Sequence, residues 1–245
     1  MKKYFVIGVA MAALSSCEAV PSEGLGNILG GISGQLGGQS SAGLSNFEIE
    51  SGLRQALEIG ATNVSSQLGA SDGFFGDDQI RIPLPGRLGD IQKRLQTFGL
   101  AAPLDDLQLR MNRAAEASMP EARRLVVSAV QSITLEDAVG ILQGGDSAAT
   151  DFLRGKTEAN LREAFSPFVD DALQSSGAFQ ALSGVAANNG LGGLTTSLQG
   201  DMRDHAVNLG LDGMFYYVAL EEQKIRENPV ARTTELLRKV FGANG

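Results

Sequence analysis

From residue 46 onward, apolar residues recur at three- and four-residue intervals, a period that only helices packed against one another can bury. The clearest stripe is Ala122, Leu125, Val126, Ala129, Val130 and Ile133, at i, i+3, i+4, i+7, i+8 and i+11. Pro120, just ahead of it, is expected to end one helix and start the next. The same period predicts a helix from 47 to about 68 through Ile49, Leu53, Leu57, Val64 and Leu68, capped by Ser45 or Asn46 and stopped by Gly69. It predicts another at about 87–98 through Leu88, Ile91, Leu95 and Phe98, ended by Gly99. A third, 103–118, starts at Pro103 and buries Leu104, Leu107, Met111, Ala114 and Ala115.

Further along, Thr134 caps a short helix 135–142 with Asp137 as the matching acid, and Gly144-Gly145 end it. Asp146 is expected to cap a helix to about 165, which Pro167 bends or restarts toward 175. Residues 175–200, rich in Ser, Gly and Asn, read as a loop-like insertion. Three last segments, about 201–209, 212–227 and 230–241, are separated by Gly210 and by Asn228-Pro229. One stretch departs from the period. Phe74 to Pro85 alternates apolar and polar residues among turn formers, which predicts a short extended segment or hairpin near 74–85, with Pro83 and Pro85 excluding a central strand. The fold class expected is all-α: a multi-helix, bundle-like single domain over residues 46–242.

The N-terminus has a different organisation. Met1-Lys2-Lys3, an apolar run from Tyr4 to Leu14, and then Leu14-Ser15-Ser16-Cys17 follow the order of a bacterial lipoprotein signal, in which the cysteine is acylated and residues 1–16 are removed. The apolar run is too short to span a bilayer as a helix. Losing Lys2 and Lys3 would shift the formal net charge from −8 by two further negative units. Residues 17–45 then form a Gly/Ser-rich tether behind the lipidated Cys17, although Leu25, Ile28, Leu29, Ile32 and Leu36 within it fall at helical spacing. The expected location is the cell envelope, lipid-anchored and facing the periplasm.

Composition narrows the chemistry. With 20 Lys+Arg against 28 Asp+Glu, the chain has no cationic excess to neutralise phosphates, so nucleic acid is not an expected partner. The 1 Cys precludes an intrachain disulfide, and with 1 His the N/S zinc sites cannot be assembled. No cofactor or metal is expected. His205 has no Gly-x-Ser-x-Gly elbow to serve and reads as a surface or helix-packing residue. Gly144-Gly145-Asp146 before a helix could bind an anion, but an N-cap Asp would already fill that place. Asp72, Asp77 and Asp78 lack the twelve-residue calcium-loop pattern and read as a solvated turn.

Several strings are recognisable in order: Ile80-Arg81-Ile82-Pro83-Leu84-Pro85; Met111-Asn112-Arg113-Ala114-Ala115-Glu116; Asp137-Ala138-Val139-Gly140-Ile141-Leu142 followed by Gly144-Gly145-Asp146; Ala148-Ala149-Thr150-Asp151-Phe152; Lys156-Thr157; and Glu221-Glu222 through Ile225-Arg226 to Asn228-Pro229. Over about residues 50–242 the chain resembles the bacterial domain of unknown function family 4197. The resemblance implies an all-helical envelope protein that begins with a secretion or lipoprotein signal. It supplies no reaction, ligand or catalytic residue.

The polar residues left to explain are Asn112, Arg113, Glu116, Asp137, Asp146, Thr150, Asp151, Thr157, Glu222 and Arg226, a candidate polar pocket or structural network. Arg113 with Glu116, and Glu222 with Arg226, are spaced to pair on one helix face. The expected function is that of a binding or interaction module, with the membrane as one partner through its lipid and a protein as another. The alternative is a carboxylate-dependent hydrolase or small-ligand-binding protein with a polar pocket between helices.

Overall fold

The computed structural model describes residues 45–188 and 192–227. Residues 1–16, Cys17 and the tether to residue 44, with the 230–241 segment, lie outside them. Among the described residues there are seven helices and no strand: α1 (Asn46–Leu68), α2 (Gly86–Gln96), α3 (Ala102–Gln131), α4 (Leu135–Gln143), α5 (Ala148–Ser175), α6 (Gly177–Asn188) and α7 (Gly192–Glu227).

Two helices begin as their local sequence dictates. The Ser45 side chain accepts the Glu48 N–H while the Glu48 carboxylate accepts the Ser45 N–H, and Thr134 and Asp137 do the same at α4. The long helices α1, α3, α5 and α7 pack α1 on α3, α3 on α5, α5 on α7 and α7 on α1. They enclose one apolar core in which Met111, Met119, Phe165 and Phe215 are almost fully buried. On α1, the small residues Gly52, Ala56 and Gly60 are buried, and the Glu221 Cβ of α7 lies 3.8 Å from where a Cβ on Gly60 would stand.

Helix boundaries differ from the sequence expectation where packing outweighs a local breaker. Pro120 lies inside α3, which runs unbroken from 102 to 131. The buried row Met111, Ala115, Met119, Ala122, Val126 and Val130 keeps its spacing through the proline. An interior proline costs about 3 kcal/mol, whereas each large apolar side chain buried contributes about 1.5–3 kcal/mol, and Pro120 itself faces outward. Pro167 likewise lies within α5. Gly210 does not separate two helices, because α7 is continuous from 192 to 227. Gly210 and Gly213 instead permit close approach: a Cβ would meet Phe165 at 3.3 Å from the first, and Ile80 at 3.0 Å and Phe74 at 3.1 Å from the second. Residues 175–200, expected as a loop, are helical over Gly177–Asn188 and from Gly192.

The segment between α1 and α2 is not a hairpin. It is a series of turns to residue 80 followed by extended chain to residue 85, and it inserts Phe74, Ile80, Ile82 and Leu84 into the core. Helix α2 closes at Gly99, where φ is +69°, with the Leu100 N–H donating to the Leu95 carbonyl at 3.0 Å and the Gly99 N–H to the Gln96 carbonyl at 3.1 Å. That pairing is the left-handed helix stop that glycine supplies without strain.

Gly99→Ala should destabilise the chain by about 1 kcal/mol, since only backbone strain opposes the added methyl. Gly140→Ala, on the open face of α4, should stabilise it by about 0.5–1 kcal/mol. Equilibrium denaturation of the two variants checks the pair.

Candidate functional site

Two buried glutamates organise the polar residues singled out in the sequence. Glu116 on α3 is 5% exposed. One of its oxygens accepts the backbone N–H groups of Phe74 at 3.1 Å and Phe75 at 3.2 Å. Its other oxygen pairs with Arg113 at 2.6 Å, and the same guanidinium reaches Asp72 at 2.7 Å. Hydrogen bonding to these carboxylates, to Glu116 foremost, raises the Arg113 pKa above its ordinary value.

One turn earlier, the Asn112 side chain replaces the strand that a hairpin would have supplied. Its Oδ1 accepts the Ile82 N–H at 2.8 Å, and its Nδ2 donates to the Ile82 carbonyl at 2.8 Å. The backbone of the inserted segment is thereby satisfied inside the core without a sheet. From α7, the His205 ring meets the Pro83 carbonyl at 2.9 Å, and the Tyr217 hydroxyl donates to Asp77. That bond, with burial, pushes the Tyr217 pKa up to about 12.

The second centre caps a helix from a distance. In the first turn of α5, Ala149 and Thr150 are buried, and the N-cap Ser147 makes no side-chain capping bond. Instead, Glu222 of α7, 7% exposed, accepts the N–H groups of Ala149 at 3.0 Å and Thr150 at 2.9 Å, and the Thr150 hydroxyl at 2.8 Å. Arg226 donates to Glu222 at 2.8 Å and, through the same nitrogen, to the Ile141 carbonyl of α4 at 2.9 Å. A carboxylate is held where the positive end of the α5 dipole and its free N–H groups favour an anion. Asp146, expected as the N-cap, gives way to Ser147, and the N–H groups at the start of α5 are taken by Glu222 instead.

An all-helical body whose motif residues converge on two such clamps agrees with the resemblance seen in the sequence. The family model described as Protein of unknown function (DUF4197) matches residues 43–242. The chain belongs to that family. No curated protein and no solved structure matches it. In this DUF4197 chain, the strings that carry the family resemblance face each other: Asn112 and Glu116 grip the 74–82 segment, and Glu222 grips the start of α5.

The remaining residues of the set sit apart from both clamps. Thr157 donates to the Leu153 carbonyl one turn back. Asp137 is occupied in its capping box, where hydrogen bonds from Thr134, its backbone N–H foremost, lower the carboxyl pKa. Asp151 accepts the Ser147 hydroxyl, and Asp146 is exposed. Asn112 and the Arg113–Glu116 pair thus meet on the 72–82 segment, Thr150, Glu222 and Arg226 form a second hydrogen-bonded group, and among the described residues the two sets do not bond to each other. A solvent-open cleft of about 520 Å³ that shares Arg113 with the Glu116 clamp lies between α3 and α5, lined also by Arg110, Ala117, Pro167, Phe168 and Asp171. Among the described residues no group of three or more His, Cys, Asp or Glu is placed to hold a metal ion. Sequence reasoning missed the roles of Tyr217 and Ser147, while His205, read as a surface or helix-packing residue, packs α7 against the Pro83 carbonyl. Nothing local marks Tyr217 as a partner of Asp77, because α7 mixes apolar and polar residues along its length.

Removing Glu222 should leave two buried N–H groups unmatched and take the buried carboxylate from beside Arg226, so Glu222→Ala should cost about 3 kcal/mol, while Asp151→Ala should stay within about 0.5 kcal/mol. The raised Tyr217 pKa makes a second outcome measurable. Stability from this tyrosine is complete below pH 10 and is lost as pH rises through about 12. Denaturation followed across that window should show the loss in the native chain and not in Tyr217→Phe.

Proposed function

We propose that this is a lipid-anchored protein of the cell envelope, facing the periplasm, whose helical body serves as a binding module. The observation that carries the binding reading is the commitment of both buried carboxylates. Each oxygen of Glu116 and of Glu222 already accepts hydrogen bonds from backbone N–H groups, a hydroxyl or an arginine. A general acid or base needs an oxygen that can reach the substrate proton, and these four are directed at the fold. The placement rests on the leader and the Leu14-Ser15-Ser16-Cys17 quartet, whose cysteine is the chain's 1 Cys. More than one acyl chain on Cys17 would make the anchoring stable.

The cleft between α3 and α5 favours a small ligand as a second reading. Arg110, Arg113 and Asp171 give it charges of both signs, and Phe168 gives it an apolar wall. Native mass spectrometry of the chain purified from its own host tests this. A bound small molecule lost on Ala117→Trp would place the ligand in the cleft; an empty chain that crosslinks to a protein would favour the partner reading.

For the anchor, Cys17→Ala should abolish labelling with a fatty-acid analogue and block removal of the leader. Labelling that survives the substitution would defeat the proposal.

A further inference from the structure

Helix α2 carries an apolar stripe that the core leaves uncovered. Its face toward α3 is polar: Gln92 is buried and donates to Asp105 and Gln108 at 2.8 Å each. Leu88 packs partly against the core. The apolar residues on the other side project outward, with Ile91 46% exposed and, in the closing turn and just beyond, Phe98 76% and Leu100 64% exposed. Arg87, Ile91, Arg94 and Phe98 fall at i, i+4, i+7 and i+11, which places them on one outward stripe.

The charges on α2 are also unlike the rest. Most other described Arg and Lys residues are paired with a carboxylate, Arg123 donates to Thr62, and Lys156 lies over Phe152. Arg87, Lys93 and Arg94 have no side-chain partner among the described residues, and the one acid on the helix is Asp90. A chain of net charge −8 therefore carries a local cationic spot, and it coincides with the most exposed large apolar side chains after Phe47.

An interleaved row of arginines and large apolar residues suits one kind of surface. At a bilayer boundary the apolar groups leave water while the arginine heads remain among phosphates. We propose that α2 and its closing turn form a contact with an anionic lipid surface, with Ile91, Phe98 and Leu100 entering the boundary and Arg87, Lys93 and Arg94 meeting the headgroups. The acidic remainder of the domain is repelled by the same surface, so the contact fixes which end faces the lipid. The envelope location is taken from the preceding proposal. The contact itself does not depend on the acyl anchor, and the two fail separately in the experiment that follows.

That experiment uses the chain from residue 17 to 245, which contains the whole compact unit Leu44–Gly245, with Cys17→Ser so that no acyl chain is attached. Binding is measured by co-sedimentation with vesicles of phosphatidylcholine alone and with vesicles containing one part phosphatidylglycerol to two of phosphatidylcholine. Binding should require phosphatidylglycerol. Each cation near an anionic surface contributes about fivefold, so Arg87→Gln with Arg94→Gln should weaken binding about 25-fold. Ile91→Ser with Phe98→Ser should weaken it at least about tenfold with Tm unchanged. The proposal is overturned if neither double variant changes binding, if the mixed vesicles bind nothing, or if only the charge variant responds, which would exclude insertion of Phe98. It is also overturned if the lipid-free chain dimerises in a manner lost on Phe98→Ser, which makes a second copy the occupant. A fall in Tm of the Ile91→Ser/Phe98→Ser variant would show that the chain covers this face itself, and that too overturns it.

Discussion

In the first turn of α5, Ala149 and Thr150 are buried, and their N–H groups have no partner within their own helix. Every α-helix begins with such unsatisfied donors, and a buried donor left unmatched costs about 1–3 kcal/mol. Here the answer comes from Glu222, on the last described helix and 72 residues beyond Thr150. Because Arg226 bonds both Glu222 and the Ile141 carbonyl, the start of α5, the end of α4 and the C-terminal part of α7 are fixed by one network. Since α5 also packs on α3 and α7 on α1, that junction links the two helix pairs.

The Glu116 and Asn112 clamp solves the same problem for an irregular segment. Extended chain inside a helical core would leave its N–H and carbonyl groups unmatched, and no neighbouring strand is present among the described residues to take them. Two side chains one turn apart on α3 supply acceptors and a donor at the positions where a strand partner would stand. Phe74 and Ile82 can then be wholly buried, and Gly213 of α7 leaves room for Phe74 and Ile80.

What the sequence reveals follows the range of each interaction. The capping box at Thr134–Asp137 is legible because donor and acceptor lie three residues apart, whereas at the first helix the sequence leaves Ser45 and Asn46 both open as the cap and the bonds to Glu48 decide for Ser45. The all-α class is legible because the apolar period persists over most of the chain. Pro120 and Gly210 mislead because their local cost is visible while the burial that outweighs it depends on helices elsewhere in the chain. Residues 175–200 mislead for a related reason: small polar residues that suggest a loop are tolerated where α6 packs on α7 and α3. Glu222 looks like the partner of Arg226, which it is, but nothing local shows that it also caps α5. The family strings were visible one by one. That they are the two halves of each clamp emerges only when the helices are brought together.

The position of Glu222 near the end of α7 also sets an order of events. A ribosome releases α1 to α6 before the residue that closes α5 has been made, and domains fold as units once their parts are present. Until α7 emerges, the α5 N-terminus lacks its Glu222 cap and the Phe74 plug lacks the wall at Gly213. The last described helix thus completes the enclosure of the body, and the cap on α5 can form only after that helix has left the ribosome.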